Sequence, residues 1–129
     1  MGSMFQSCSN LTSLDLSMFD TSNVTNMEVM FNNCPSLSNI NFGENFDTSN
    51  VTSLSMMFYG CSSFTSLDLS HFDTSKVKNM SNMFWSCRNL RNLNLNNFNT
   101  SSVVNMSNMF QRCSSLTSLD VSNFDTSKV

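Results

Sequence analysis

The chain repeats itself at a fixed interval. The string Phe-Asp/Asn-Thr-Ser recurs at Phe19, Phe46, Phe72, Phe98 and Phe124, and the cysteines Cys8, Cys34, Cys61, Cys87 and Cys113 keep the same step of 26 residues, with one step of 27. A unit this small cannot bury its apolar face alone, so such a period confines the chain to architectures in which each unit stacks on the next. The odd step has a local origin: the second unit reads Gly43-Glu44-Asn45 where the others have two residues, and Gly suits a one-residue bulge. The chain is 129 residues long and forms a single repeat domain, residues 1–129, with the pattern of a piece cut from a longer array.

One unit reads Leu11, Leu14, Leu16, Phe19, Val24, Met27, Met30, Phe31, Cys34, and the next repeats all nine columns as Leu37, Ile40, Phe42, Phe46, Val51, Leu54, Met57, Phe58, Cys61. The triplets at 14–16, 40–42, 67–69, 93–95 and 119–121 alternate apolar, polar, apolar, which is the pattern of a half-buried strand. From Val24 the apolar positions fall at +3, +6, +7 and +10. At 100° per residue they occupy an arc of about 120°, which predicts a short amphipathic helix capped by Thr21 or Ser22. Strands stack at about 4.8 Å and helices at about 8–10 Å, so the strand side should be concave. The expected fold is therefore α/β: a leucine-rich-repeat-like right-handed solenoid of five strand–corner–short-helix repeats.

Composition narrows the function classes. Charged residues are only 12% of the chain and the formal net charge is −3, so there is no basic field for nucleic acid. No apolar run approaches the roughly 18 residues of a membrane span, which excludes direct membrane insertion, and the opening residues Met1 to Asn10 carry no signal peptide. His71 is the only histidine, in a column that faces water, and no Gly-x-Ser-x-Gly or phosphate-cradling Gly loop is present. The reading is non-enzymatic, with no cofactor. Zinc sites need closely spaced cysteine pairs, and these cysteines fall on the inward arc, so they are read as buried, reduced thiols with no metal.

The segments Met-Phe-x-x-Cys-x-x-Leu (Met30 to Leu37, Met109 to Leu116) and Leu-x-x-Leu-Asp-Leu-Ser-x-Phe-Asp-Thr-Ser (Leu11 to Ser22) resemble the 26-residue repeats of the BspA-like leucine-rich-repeat family of bacterial surface proteins and mycoplasma lipoproteins. The resemblance spans essentially the whole chain. It implies a non-enzymatic scaffold, on the cell surface or secreted as part of a longer protein, displaying a surface for a host or neighbouring-cell protein or glycan. The competing structural role is self-assembly into head-to-tail oligomers or filaments.

Three surfaces are candidates for contact. The outward strand column Asp15, Asn41, Asp68, Asn94 and Asp120 forms a polar face suited to hydrogen-bonded ligands. The corner row Asp20, Asp47, Asp73, Asn99 and Asp125 offers too few oxygens for calcium and reads instead as Asx-turns. On the opposite side Val29, Met56, Tyr59 and Trp85 form one apolar patch, the candidate partner site. The ends add a further expectation. Residues 1–60 carry five acidic groups and no Lys or Arg, whereas residues 61–129 carry six basic and four acidic groups, so an acidic head could meet a basic tail.

Overall fold

The computed structural model describes residues 1–129. Alternating triplets form four short strands: β1 (Ser13–Asp15), β2 (Asn39–Asn41), β3 (Ser66–Asp68) and β4 (Asn92–Asn94). In each, the central Leu or Ile points inward and the flanking polar residues face out. β1 pairs with β2 and β3 with β4, both parallel, with Leu14 opposite Ile40 and Leu67 opposite Leu93. The strands lie one residue ahead of the expected triplets. The fifth triplet, 119–121, is not a strand.

No ladder joins β2 to β3. Three irregularities of sequence meet at this seam. Phe42 stands where other units have Leu or Val, Phe64 stands where they have Leu, and the extra residue lies between the two. Phe42 packs its ring on Phe46, His71 and Phe72 at 4.8, 5.2 and 5.3 Å. Gly43 takes a left-handed φ of 71° and lies so close to the backbone of Ser17 that a Cβ would sit 2.4 Å from its Cα. The insertion is thus absorbed in a turn against the preceding unit and not in a strand bulge.

The expected α/β solenoid with a helix in every repeat does not form: the chain contains strands and turns but no helix. Over residues 27–34 the amides alternate between two partners. Met30 and Asn32 donate locally to the carbonyls of Met27 and Val29, three residues back. Met27, Val29, Phe31 and Asn33 donate instead to the carbonyls of Ser53, Ser55, Met57 and Tyr59 in the next unit, at 3.1, 3.0, 2.9 and 2.7 Å.

The cause is a pair of left-handed residues per unit, four apart. One column is Ser3, Val29, Met56, Asn82 and Asn108; the other is Ser7, Asn33, Gly60, Ser86 and Arg112, all with φ between 55° and 72°. A right-handed helix cannot contain them. Successive three-residue turns also place apolar side chains at +3 and +6, so the periodicity that suggests a helix is satisfied without one.

Inside the stack, identical columns become ladders. Phe5, Phe31, Phe58, Phe84 and Phe110 stack nearly parallel with ring centroids 5.5–5.7 Å apart. Leu16, Val51, Leu54, Met57 and Val77 are wholly buried in the same continuous core. Thr21, Thr48, Thr74 and Thr100 are buried too, and their hydroxyls donate to the carbonyls of Asp47, Asp73, Asn99 and Asp125 in the following unit. The corner threonine therefore staples units together and does not cap a helix. Every buried polar side-chain atom has a partner.

Two substitutions test this account by chemical denaturation. Val29 is β-branched and left-handed, a conformation that costs about 1–2 kcal/mol, so Val29→Asn, the residue found at 82 and 108, should stabilise the fold by about 1 kcal/mol. Phe58→Ala, in the middle of the ring ladder, should cost about 3–5 kcal/mol. In a helix, where Val and Asn have about equal propensity, the same change would be near neutral.

Candidate functional site

The outward strand column is largely occupied with its own backbone. Asp15, Asp68 and Asp120 each accept the amide N–H two residues on, from Ser17, Ser70 and Ser122 at 2.9 Å, and Asn94 accepts that of Asn96 at 3.2 Å. Asn41 Nδ2 donates to Asp15 Oδ1 at 3.2 Å, so the alternation of Asp with Asn becomes a hydrogen bond along the ladder. Over β3, β4 and the last unit the face dips into an open polar trough of about 440 Å³ lined by Asp68, Arg91, Asn92, Asn94, Asn96 and Asp120. The column thus does two jobs, closing turns and lining this trough.

The corner row is an uninterrupted series of Asx-turns: Asp20, Asp47, Asp73, Asn99 and Asp125 accept the amides of Ser22, Ser49, Ser75, Ser101 and Ser127 at 2.8–3.1 Å. No three His, Cys, Asp or Glu side chains gather anywhere as a metal-ligand set. Hydrogen bonds from these serines hold the carboxyls of Asp20, Asp73 and Asp125 below the usual carboxylate range, and those from Ser17, Ser70 and Ser122 do the same for Asp15, Asp68 and Asp120. A carboxyl with a depressed folded pKa contributes stability that is present above its unfolded value of about 4 and lost as pH falls through the folded value. Stability should therefore be flat above about pH 5 and decline below about pH 4. Asp73→Asn, which reproduces the turn made by Asn99, should lessen that decline in acid titrations followed by circular dichroism.

The cysteine column points into the core. Cys34, Cys61, Cys87 and Cys113 donate their thiols to the carbonyls of Phe5, Phe31, Phe58 and Phe84 in the preceding unit at 2.9–3.2 Å, and all five cysteines are free. Burial pushes the Cys61 thiol up to about 12 and raises those of Cys34, Cys87 and Cys113. A thiol held neutral is a poor nucleophile. In native protein at neutral pH, thiol reagents should label Cys34, Cys61 and Cys87 only on the timescale of unfolding. Denaturant should release these three together.

The turn face carries the most distinctive chemistry. Tyr59 and Trp85 occupy one column in successive units and stack at 4.4 Å with a 7° interplanar angle. Arg112 of the next unit places its guanidinium carbon 4.9 Å from the other side of the Trp85 ring, and Trp85 Nε1 donates to Gln111 Oε1 at 3.1 Å. Beside this stack, Arg88, Arg112 and Ser114 line a shallow hollow of about 370 Å³. Of the four patch residues expected here, the fold brings Tyr59 and Trp85 together. Val29 and Met56 occupy the left-handed column and are half-buried. Arg112, Gln111 and Arg88, which complete the stack and its hollow, are polar and so lie outside the apolar pattern that marks the patch in the sequence. The repeat arithmetic held the signal, since Gln111 is one period beyond Trp85.

The family described as "Mycoplasma protein of unknown function, DUF285" matches residues 1–115 and, overlapping them, residues 68–129. No curated protein and no solved structure matches the chain.

Proposed function

We propose, from the premise that the chain belongs to the mycoplasma family of unknown function DUF285, that it is a non-enzymatic repeat scaffold presenting its turn face to a protein partner rich in carboxylates. One observation carries the reading: Trp85 is sandwiched between the Tyr59 ring and the Arg112 guanidinium, with Arg88 alongside. Trp, Tyr and Arg are the residue types that concentrate binding energy at interfaces. The stack costs little ordering entropy on binding, because ring stacking, the indole hydrogen bond and the cation–π contact already hold it.

The partner's chemistry follows from what stays available. Both ring faces of Trp85 are covered, which disfavours stacking of a sugar ring, whereas the guanidinium groups of Arg88 and Arg112 can each meet a carboxylate in bidentate geometry. All six basic residues of the chain lie between 61 and 129, the segment that holds Trp85, Arg88 and Arg112, against four acidic ones there. The resemblance to bacterial surface repeats supports placing the scaffold outside the cell, as part of a longer protein. No helix is long and apolar enough to cross a membrane.

Binding of the full chain to an array of host-surface proteins, with a glycan array beside it, tests the proposal. Arg112→Gln and the Tyr59→Ser, Trp85→Ser pair should each weaken protein capture by about 10-fold or more while the fold persists. Undiminished capture by the double variant, or binding to glycans alone, sinks the reading.

A further inference from the structure

The hollow beside the aromatic stack, about 370 Å³ in volume, is lined by Arg88, Arg112 and Ser114, with no carboxylate in its wall. We infer that it is a site for a tetrahedral oxyanion, a phosphate monoester carried by the protein that docks on the turn face. The inference rests on the proposed reading of that face and names the group its two arginines receive. Elsewhere the Arg88 column reads Ser9, Pro35, Ser62 and Ser114, and the Arg112 column reads Ser7, Asn33, Gly60 and Ser86. Two cations therefore share a hollow only where residues 88 and 112 meet.

Like charges around one hollow repel, and nothing within the chain offsets them. The sequence holds nine Asp and Glu residues, yet neither guanidinium hydrogen-bonds to one: Arg88 Nε donates to Ser86 Oγ at 3.0 Å, and Arg112 lies over the Trp85 ring. Those contacts aim the two groups without neutralising them. The Ser86 bond uses one N–H of Arg88 and the ring contact uses none of Arg112, so most donors of both forks stay available. A backbone donor joins them. Ser9, Ser62 and Arg88, the column-mates of Ser114, each donate their amide to the carbonyl two residues back at 2.8–2.9 Å, whereas the amide of Ser114 makes no hydrogen bond. The Ser114 hydroxyl donates to the Arg88 carbonyl at 3.2 Å and ties the two walls of the hollow together.

This donor set selects among anions. A carboxylate has its oxygens in one plane, enough to satisfy a single guanidinium fork. A phosphate monoester carries three terminal oxygens and a charge of about −2 at neutral pH, so it can meet one fork in bidentate geometry and still reach the second arginine and the Ser114 amide. It also neutralises both cations at once. Recognition of a phosphorylated segment by clustered arginines is a mode that needs no deep pocket, which suits a shallow hollow on an otherwise turn-built face.

Isothermal titration of the full chain with three probes tests this: an Asp- and Glu-rich peptide bearing one phosphoserine, the same peptide with unmodified serine, and inorganic phosphate. The phosphopeptide should bind about 10-fold or more tightly than its unmodified twin, and Arg88→Gln or Arg112→Gln should erase that difference. Both side chains are exposed, so circular dichroism should show the variants folded. The difference should also shrink from about pH 7 to about pH 5, because the phosphate loses its second charge near pH 6 while both guanidinium groups keep theirs. No other group titrating in that range lines the hollow, and His71, the only histidine, packs against Phe42 and Phe72. Equal affinity for the two peptides overturns the inference and leaves the carboxylate-binding face standing. A phosphopeptide that does not bind, or one whose advantage survives both arginine substitutions, overturns it too, while the protein array decides the wider reading separately. Inorganic phosphate binding as tightly as the phosphopeptide overturns the assignment of the group to a protein partner.

Discussion

The backbone hydrogen bond from one unit to the next is the constraint on which the rest of the structure depends. In residues 27–34 every second amide is turned along the stack, and it can be so turned only because left-handed residues recur four apart. This arrangement replaces the internal bonding of a helix with bonding between units. It also fixes the register: a slip by one residue would bring amide against amide and move every ladder out of line. The regular parallel bridges Asn26 to Ser53, Ser53 to Asn79 and Asn79 to Asn105 continue the same ladder through the third-to-second-unit seam, where the strand face has no pairing.

Once register is fixed, identical side chains meet identical side chains. Stacked Phe rings, thiols on Phe carbonyls and threonine hydroxyls on corner carbonyls are all consequences of one geometry. Such a core needs no long-range pattern beyond the repeat, and it tolerates a large outward variation. The turn-face column reads Gln6, Asn32, Tyr59, Trp85 and Gln111, and apart from the buried Asn32 its side chains are at least partly exposed, so its chemistry varies from unit to unit. The same geometry that builds the interior therefore places the Tyr59, Trp85 and Arg112 side chains in contact.

The Asp residues illustrate how the scaffold limits function. A column of carboxylates looks like a ligand surface or an ion-binding row. In the structure Asp20, Asp73 and Asp125 are spent on the amides two residues on, and Asp15, Asp68 and Asp120 likewise. Their depressed carboxyl pKa values record that internal use. What remains outward is the second oxygen of each carboxylate and the trough near Arg91, Asn92 and Asn94.

Sequence alone determined the period and the inward columns, because those depend on which side chains are apolar and how often they recur, and it located four of the five expected strands to within one residue. Leu14, Phe31 and Cys61 were assigned inward from spacing, and they pack against or within the core. It also determined the Asx-turns, whose bonding is local to three residues. Tertiary structure alone decided the conformation of residues 27–34, since a helix and a series of three-residue turns put the same side chains inside, and only the neighbouring unit's carbonyls favour the turns. Gly60 and the asparagines at 33, 82 and 108 hinted at left-handed positions, but Val29, Met56 and Arg112 in the same columns concealed them. The stacking of Arg112 on Trp85 was likewise out of reach, because it joins residues of different columns in adjacent units, and only the folded chain brings them within 4.9 Å.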